Sequence, residues 1–415
     1  MVFGQLHPIY DELFKGFTRA DNTTENLQIP GMDMRNHTTC TLAGELKGQL
    51  MTGMTVLDAT GADGHELKEM HKQFLTYLIM HEMGHTLGLN HNMKASQMLS
   101  PAELHNTEIT RRTGLIGSVM DYPAINIALD RNKQGDYYTT KAGPYDIWAI
   151  EYGYTEFAPG EEEAGLEKII SRSTDPKLAF GNDGDDMRSP GKAMDPRVNI
   201  NDLSSDAIAY AEDRLKLINQ TMGRLVAKYS KPGQSYAELR TRYATLMGHR
   251  LGQISAVSRY IGGIYIDRSY PEQKPAGKPY TPVELATQKK AMQVLAKYVF
   301  APDAFEADAQ VFAYLQPQRR GFEQSSSGDD WRVTEAMLQL QSQGALSHLL
   351  HGNTLKRLTN SRLYGNQYSV ASMMNDLQKA IFNADIAANV NVYRQNLQTY
   401  FVRQLVAMVD PKTQQ

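Results

Sequence analysis

The stretch that most constrains this chain is Phe74–His91. From Phe74 to Gly88 the only carboxylate is Glu82, and there is no Lys or Arg. Phe74 and Leu78 fall on one helical face, Leu75 and Ile79 on another. A helix over 66–88 is therefore expected, buried nearly all round in its second half. Its first half is charged (Glu66, Lys68, Glu69, Lys72), and Gly88 is a good C-terminal stop. Into this apolar helix the sequence sets histidines and a glutamate, each of which needs a polar partner if it is buried.

The polar residues read H-E-x-x-H-x-x-G-x-x-H over His81–His91. Residues four apart on a helix sit about 40° apart around the axis and one turn apart along it. His81 and His85 can thus present two imidazoles to one cation. Glu82 lies beside the first ligand, within reach of a metal-bound water. Gly88 lets the chain leave the helix with positive φ, so that His91 can swing back as a third ligand. Three neutral nitrogens and one open position describe a catalytic zinc site, not a closed structural one. Composition alone would produce these five fixed positions on the order of 10⁻⁵ to 10⁻⁴ times per chain of this make-up. The competing reading is a buried helix whose histidines are merely satisfied by hydrogen bonds. His71 lies about 15 Å along the axis from His81, out of reach of the same ion. His65 and His105 lie in or beside loops and read as solvated side chains.

Length and composition frame the rest. The chain has 415 residues, enough for two or three domains, with 41% apolar and 21% charged residues. Such values exclude a wholly disordered or fibrous chain. Forty-three basic against 46 acidic residues leave a net charge of −3, so nothing argues for nucleic acid or an anionic membrane as partner. Apolar runs such as Phe74–Met80 are far too short to span a bilayer. The single cysteine, Cys40, excludes a disulfide within the chain. Met1–Phe14 has no apolar core of a signal peptide. There is no G-x-S-x-G, Walker loop or dinucleotide fingerprint.

Along the chain, residues 18–40 are polar, and a short helix is expected over Ala43–Met51. Asp58–Gly64 is a turn-rich loop. Residues 89–143 look irregular, and Pro144–Tyr152 is a short helix. Residues 155–202 are loop-rich, with an acidic knot at Asn182–Asp186, and form the expected linker. After 202 the pattern is helical. Ile208, Ala211, Leu215, Ile218, Met222, Leu225 and Tyr229 keep a 3,4 spacing. Leu239, Leu246, Ile254, Val257 and Ile261 mark a second helix. Thr281, Pro282 and Glu284 read as the capping box of a third, which runs to about Phe300. Three or four more helices occupy 331–408, and only Ser325–Gly328 is low in complexity. Asp58, Asp63 and Glu66, or the knot at 182–186, leave a calcium ion open. Their spacing is not that of an EF-hand, and Asp, Asn and Gly favour turns on their own.

At the zinc motif the sequence resembles the metzincins, whose signature this elongated motif is. The family also carries a tight turn with a methionine beneath the zinc. Ser118-Val119-Met120-Asp121-Tyr122 is similar to it, and Met120 would form an apolar floor under the imidazoles. The resemblance implies that Tyr122 lies near the zinc, where it would hold the resting metal or stabilise an oxyanion; the alternative is a tyrosine simply packed in the turn. Asp146-Ile147-Trp148-Ala149-Ile150-Glu151-Tyr152-Gly153 looks like the last helix of matrixin and serralysin catalytic domains, which gives Asp146 the structural role of bracing the turn. Cys40 sits in no matrixin-type inhibitory motif. More loosely, Asp195-Pro196-Arg197, Gly248-His249-Arg250 and Ile261-Gly262-Gly263 look like the C-terminal region of large bacterial zinc-dependent metalloproteases.

The expected fold is mainly α, with a small α+β metzincin-like catalytic portion over 1–154, the linker at 155–202 and a helical domain over 203–415. A metzincin builds a twisted sheet before its zinc helix, which needs roughly 100 residues. Only 80 residues precede His81, so the catalytic portion is expected to be truncated at its N-terminus. The implied activity is a zinc-dependent endopeptidase on protein or peptide substrates, with Glu82 as general base. The resemblance also implies an extracytoplasmic location. The alternatives are a metal-stabilised binding or scaffold module, a catalytically incompetent fragment, and a zinc hydrolase of non-peptide amides.

Overall fold

The computed structural model describes residues 42–185, 190–315 and 332–410. Cys40, the polar stretch at 18–40, Asp186 and Ser325–Gly328 lie outside them, as do the first 41 residues, on which the expectation of a missing sheet bears.

The chain is mainly α. Helix α1 spans Leu42–Ala59 and runs eight residues beyond the expected end. Helix α2, Gly64–Thr86, is the expected metal helix. Asp63 caps it by accepting from the Glu66 N–H at 2.8 Å. At its other end the Leu89 N–H reaches the Gly84 carbonyl and the Gly88 N–H reaches that of His85, with Gly88 at φ +82°. This is a Schellman stop, which asks for glycine at that position. Then come α3 (Thr107–Thr113), α4 (Pro144–Tyr154) and α5 (Glu162–Ile170). The long helices α6 (Ala207–Tyr229) and α7 (Ala237–Ser258) pack along each other and against α1. The C-terminal part adds α8 (Leu285–Leu295), α9 (Val333–Gln341), α10 (Gly352–Asn360), α11 (Val370–Phe382) and α12 (Val392–Val409).

Two expectations need correction. The helix α2 is not buried all round. Met70, Phe74, Tyr77, His81 and Gly84 face the core, whereas Ile79 and Met83 are more than half exposed and Leu75 and Leu87 partly so. Leu75, Ile79, Met83 and Leu87 recur every fourth residue, so their exposure follows one stripe of the helix. The capping box at Thr281 does not form either. Tyr280–Pro282 is a strand, β2, paired antiparallel with β1 (Ile264–Ile266), with Tyr265 opposite Thr281. The helix starts at Leu285, with Glu284 at its cap position. A tertiary strand pairing here overrides a local capping preference. Pro282 sits at the end of its strand, where it removes no ladder bond that a neighbour needs. These are the only strands among the described residues.

Among the described residues two large apolar clusters make most of the core, with a small third around Phe305, Met337 and Leu340. The first joins Leu46, Leu50 and Leu57 of α1, Phe74 and Tyr77 of α2, Met120 and Tyr122, and Leu217, Met222, Leu239 and Leu246 of α6 and α7. The second gathers Ile208, Leu215, Ile254 and Val257 with the C-terminal helices. Helices α6 and α7 contribute to both. Residues 199–204 are stitched to the segment before them: Asn199 donates to Met93, Asn201 to Tyr122 and Ser204 to Ser96, each backbone to backbone. Among the described residues no helix is long and apolar enough to cross a membrane.

Candidate metal centre and active site

Helix α2 points His81 into the core and His85 one turn on. The Schellman stop turns the chain so that His91 returns beside them. The three Nε2 atoms converge: His81 to His85 is 3.2 Å and His85 to His91 is 3.1 Å. Among the described residues this is the one group of three or more His, Cys, Asp or Glu side chains able to hold a metal.

The partner on the far side of each ring sets its tautomer. His81 Nδ1 lies 2.7 Å from the Val119 carbonyl, His85 Nδ1 3.1 Å from that of Leu89, and His91 Nδ1 2.6 Å from the Asp183 carboxylate. Each Nδ1 faces an acceptor and so carries the proton, leaving a lone pair on every Nε2. Three lone pairs aimed at one point repel unless a cation lies between them. Burial also pushes His81 down to about 3, its bond to Val119 and the neighbouring imidazoles acting more weakly, so the ring is neutral. Neutral imidazole is the ligating form, and the donor set suits zinc with an open fourth position.

The turn beneath has the expected composition. Met120 is fully buried and lies against Gly84, where a Cβ would stand 2.3 Å from its sulfur. Glycine at 84 is what lets the helix rest on the turn. Tyr122 Oη is 2.9 Å from His91 Nε2, so the phenol reaches the convergence point. Asp146 holds the turn from below. One carboxylate oxygen accepts from Ser118 Oγ at 2.5 Å, and the other from the N–H groups of Val119 at 2.9 Å and Gly143 at 2.8 Å. Tyr77 adds a bond from its hydroxyl to the Asp121 carbonyl. Glu82 follows His81 on α2 and is half-buried.

Other expected candidates lie elsewhere. His71 bonds back to the Leu67 carbonyl, His65 is exposed, and His105 is half-buried beside Asn126. The acidic loop residues take protein partners: Asp58 pairs with Lys228 and Tyr229, Asp63 caps α2, and Glu66 binds Arg131 and Tyr137. Asp183, read only as part of an acidic knot, contacts the third histidine across 92 residues of chain. The knot was visible in the sequence; its target was not.

A helical protein that seats three imidazoles over a methionine turn has the build of a zincin. A family model described as Met-zincin matches residues 63–389, and the chain belongs to that family of metzincin-type zinc metalloproteases. No curated protein and no solved structure matches the chain.

Proposed function

We propose that the chain is a zinc-dependent endopeptidase whose site is His81, His85, His91, Glu82 and Tyr122. The observation that carries this reading is the convergence of three Nε2 lone pairs, each fixed by a bond on the opposite nitrogen. Bound zinc supplies Lewis acidity toward a water and a peptide carbonyl. His81, His85 and His91 hold it, and Met120 fills the space below them. Glu82 takes the proton of the attacking water and hands it to the leaving amine. Tyr122 Oη, beside His91, donates to the oxyanion as the carbonyl becomes tetrahedral. Asp146 keeps the turn that carries Met120 and Tyr122 in register. An extracytoplasmic location belongs to the same proposal and rests on the family likeness alone.

The test is a pair of measurements on Glu82→Gln. The variant keeps its zinc and loses peptide turnover by about 10²–10⁴-fold, the usual worth of a positioned general base. Full turnover in this variant refutes the role of Glu82. Wild-type protein that binds zinc and cleaves neither casein nor fluorogenic peptides supports a binding module instead.

A further inference from the structure

The segment Ala179–Asp185 is built onto the strand of chain that carries the third histidine. Asn92, the residue after His91, donates from its side-chain nitrogen to the Ala179 carbonyl at 3.0 Å. Its side-chain oxygen accepts from the Gly181 N–H at 3.2 Å. The Met93 N–H then donates to the Gly181 carbonyl at 2.7 Å. Asn92 is fully buried, so this clamp does not compete with water. Gly181 itself lies against Val198, where a Cβ would meet a methyl carbon at 2.6 Å. Two residues on, Asp183 reaches His91 Nδ1 at 2.6 Å, and Asp185 is paired at 2.5 Å with Arg268, just past β1. The carboxylate is thus delivered to the imidazole by a strap fixed at both ends.

Of the three rings, His81 and His85 have neutral backbone carbonyls behind them. Only His91 has a carboxylate. It is also the ligand that lies beyond the helix, where α2 no longer sets its orientation. A carboxylate behind a ligating histidine fixes its tautomer and plane and makes the far nitrogen a stronger donor. We propose that Asp183 is a positioning residue for the metal site, and that it orients His91 and strengthens its Nε2 as a ligand. The proposal rests on the zinc reading above.

The experiment is zinc affinity, measured by competition with a chromogenic chelator on the full chain. Wild type, Asp183→Asn, Asp183→Ala and His81→Ala are compared. Asp183→Ala binds zinc about 10–100-fold more weakly than wild type, the usual cost of losing such a partner. Asp183→Asn, which keeps a neutral acceptor for the Nδ1 proton, falls between the two. Melting of the metal-free proteins serves as the fold control, and wild type and the two Asp183 variants melt alike. Asp183→Ala affinity within twofold of wild type overturns the proposal. So does an affinity loss matched by an equal loss of metal-free stability in both Asp183 variants, since that marks a merely structural residue. Wild-type protein whose zinc is indifferent to His81→Ala fails the zinc reading itself, a different result from either.

Discussion

Removing the Asp146 side chain is the sharpest test of how the methionine turn is held. The carboxylate is 4% exposed and takes three donors: Ser118 Oγ–H, Val119 N–H and Gly143 N–H. In Asp146→Ala the hydroxyl of Ser118 can turn elsewhere, but the two backbone N–H groups cannot. Each buried donor left without an acceptor costs roughly 1–3 kcal/mol. Part of that is recovered, because burial raises the Asp146 carboxyl above its ordinary range and an ionised group no longer has to be kept there. The net loss expected is about 3 kcal/mol. Asp146→Asn behaves differently. An amide oxygen in place of the doubly used carboxylate oxygen keeps both backbone bonds, and the amide nitrogen can donate to Ser118 Oγ. Its cost is about 1 kcal/mol or less. Urea unfolding followed by Trp148 fluorescence reads both, since that indole is fixed two residues away by a bond to the Ile169 carbonyl. Asp146→Ala within about 0.5 kcal/mol of wild type, or Asn as damaging as Ala, refutes the bracing role.

Three further outcomes follow from the same geometry. Gly84→Ala gains about 1 kcal/mol of helix propensity but drives a Cβ into the Met120 sulfur, an overpacking worth about 1–3 kcal/mol; the variant is less stable and binds zinc more weakly, and a stabilised variant contradicts the contact. Tyr122→Phe keeps its zinc and loses about 10²–10³-fold in kcat, as for one oxyanion donor; unchanged kcat makes the phenol a packing residue. Burial raises the Asp202 carboxyl to about 7, against its bonds from Ser96 and Gln97 and the nearby charge of Arg259. Its unfolded value is about 4, so its contribution to stability is full below that pH and is lost as pH rises through 7. The urea midpoint of wild type therefore falls between pH 5 and 8 more steeply than that of Asp202→Asn, and equal slopes overturn the assignment.

The candidate metal centre is legible because its parts are local. His81 and His85 are set by one helical turn, and Gly88 and His91 by the glycine stop that follows, so spacing alone places them. The Met120 turn and Asp146 could be matched by resemblance, and Asp146 does reach Ser118 and Val119. What escaped is non-local. Asp183 meets His91 through a clamp centred on Asn92, and nothing in the residues around 183 points to position 91. Thr281 and Pro282 carry a strong helix-start pattern, yet Ile264–Ile266 pairs with them from upstream and makes a strand. The apolar run Leu75–Leu87 suggested burial on every side. Composition cannot tell an enclosed helix from one that leaves a fourfold-spaced stripe in the open.

X-ray absorption at the zinc K-edge on freshly purified, fully loaded protein puts the central reading at risk most directly. One zinc per chain with three imidazole nitrogens at about 2.0–2.1 Å and a single light-atom neighbour is the predicted spectrum, falling to two imidazoles in His91→Ala. A zinc shell without histidine, a shell unchanged in His91→Ala, or protein that retains no zinc would contradict it.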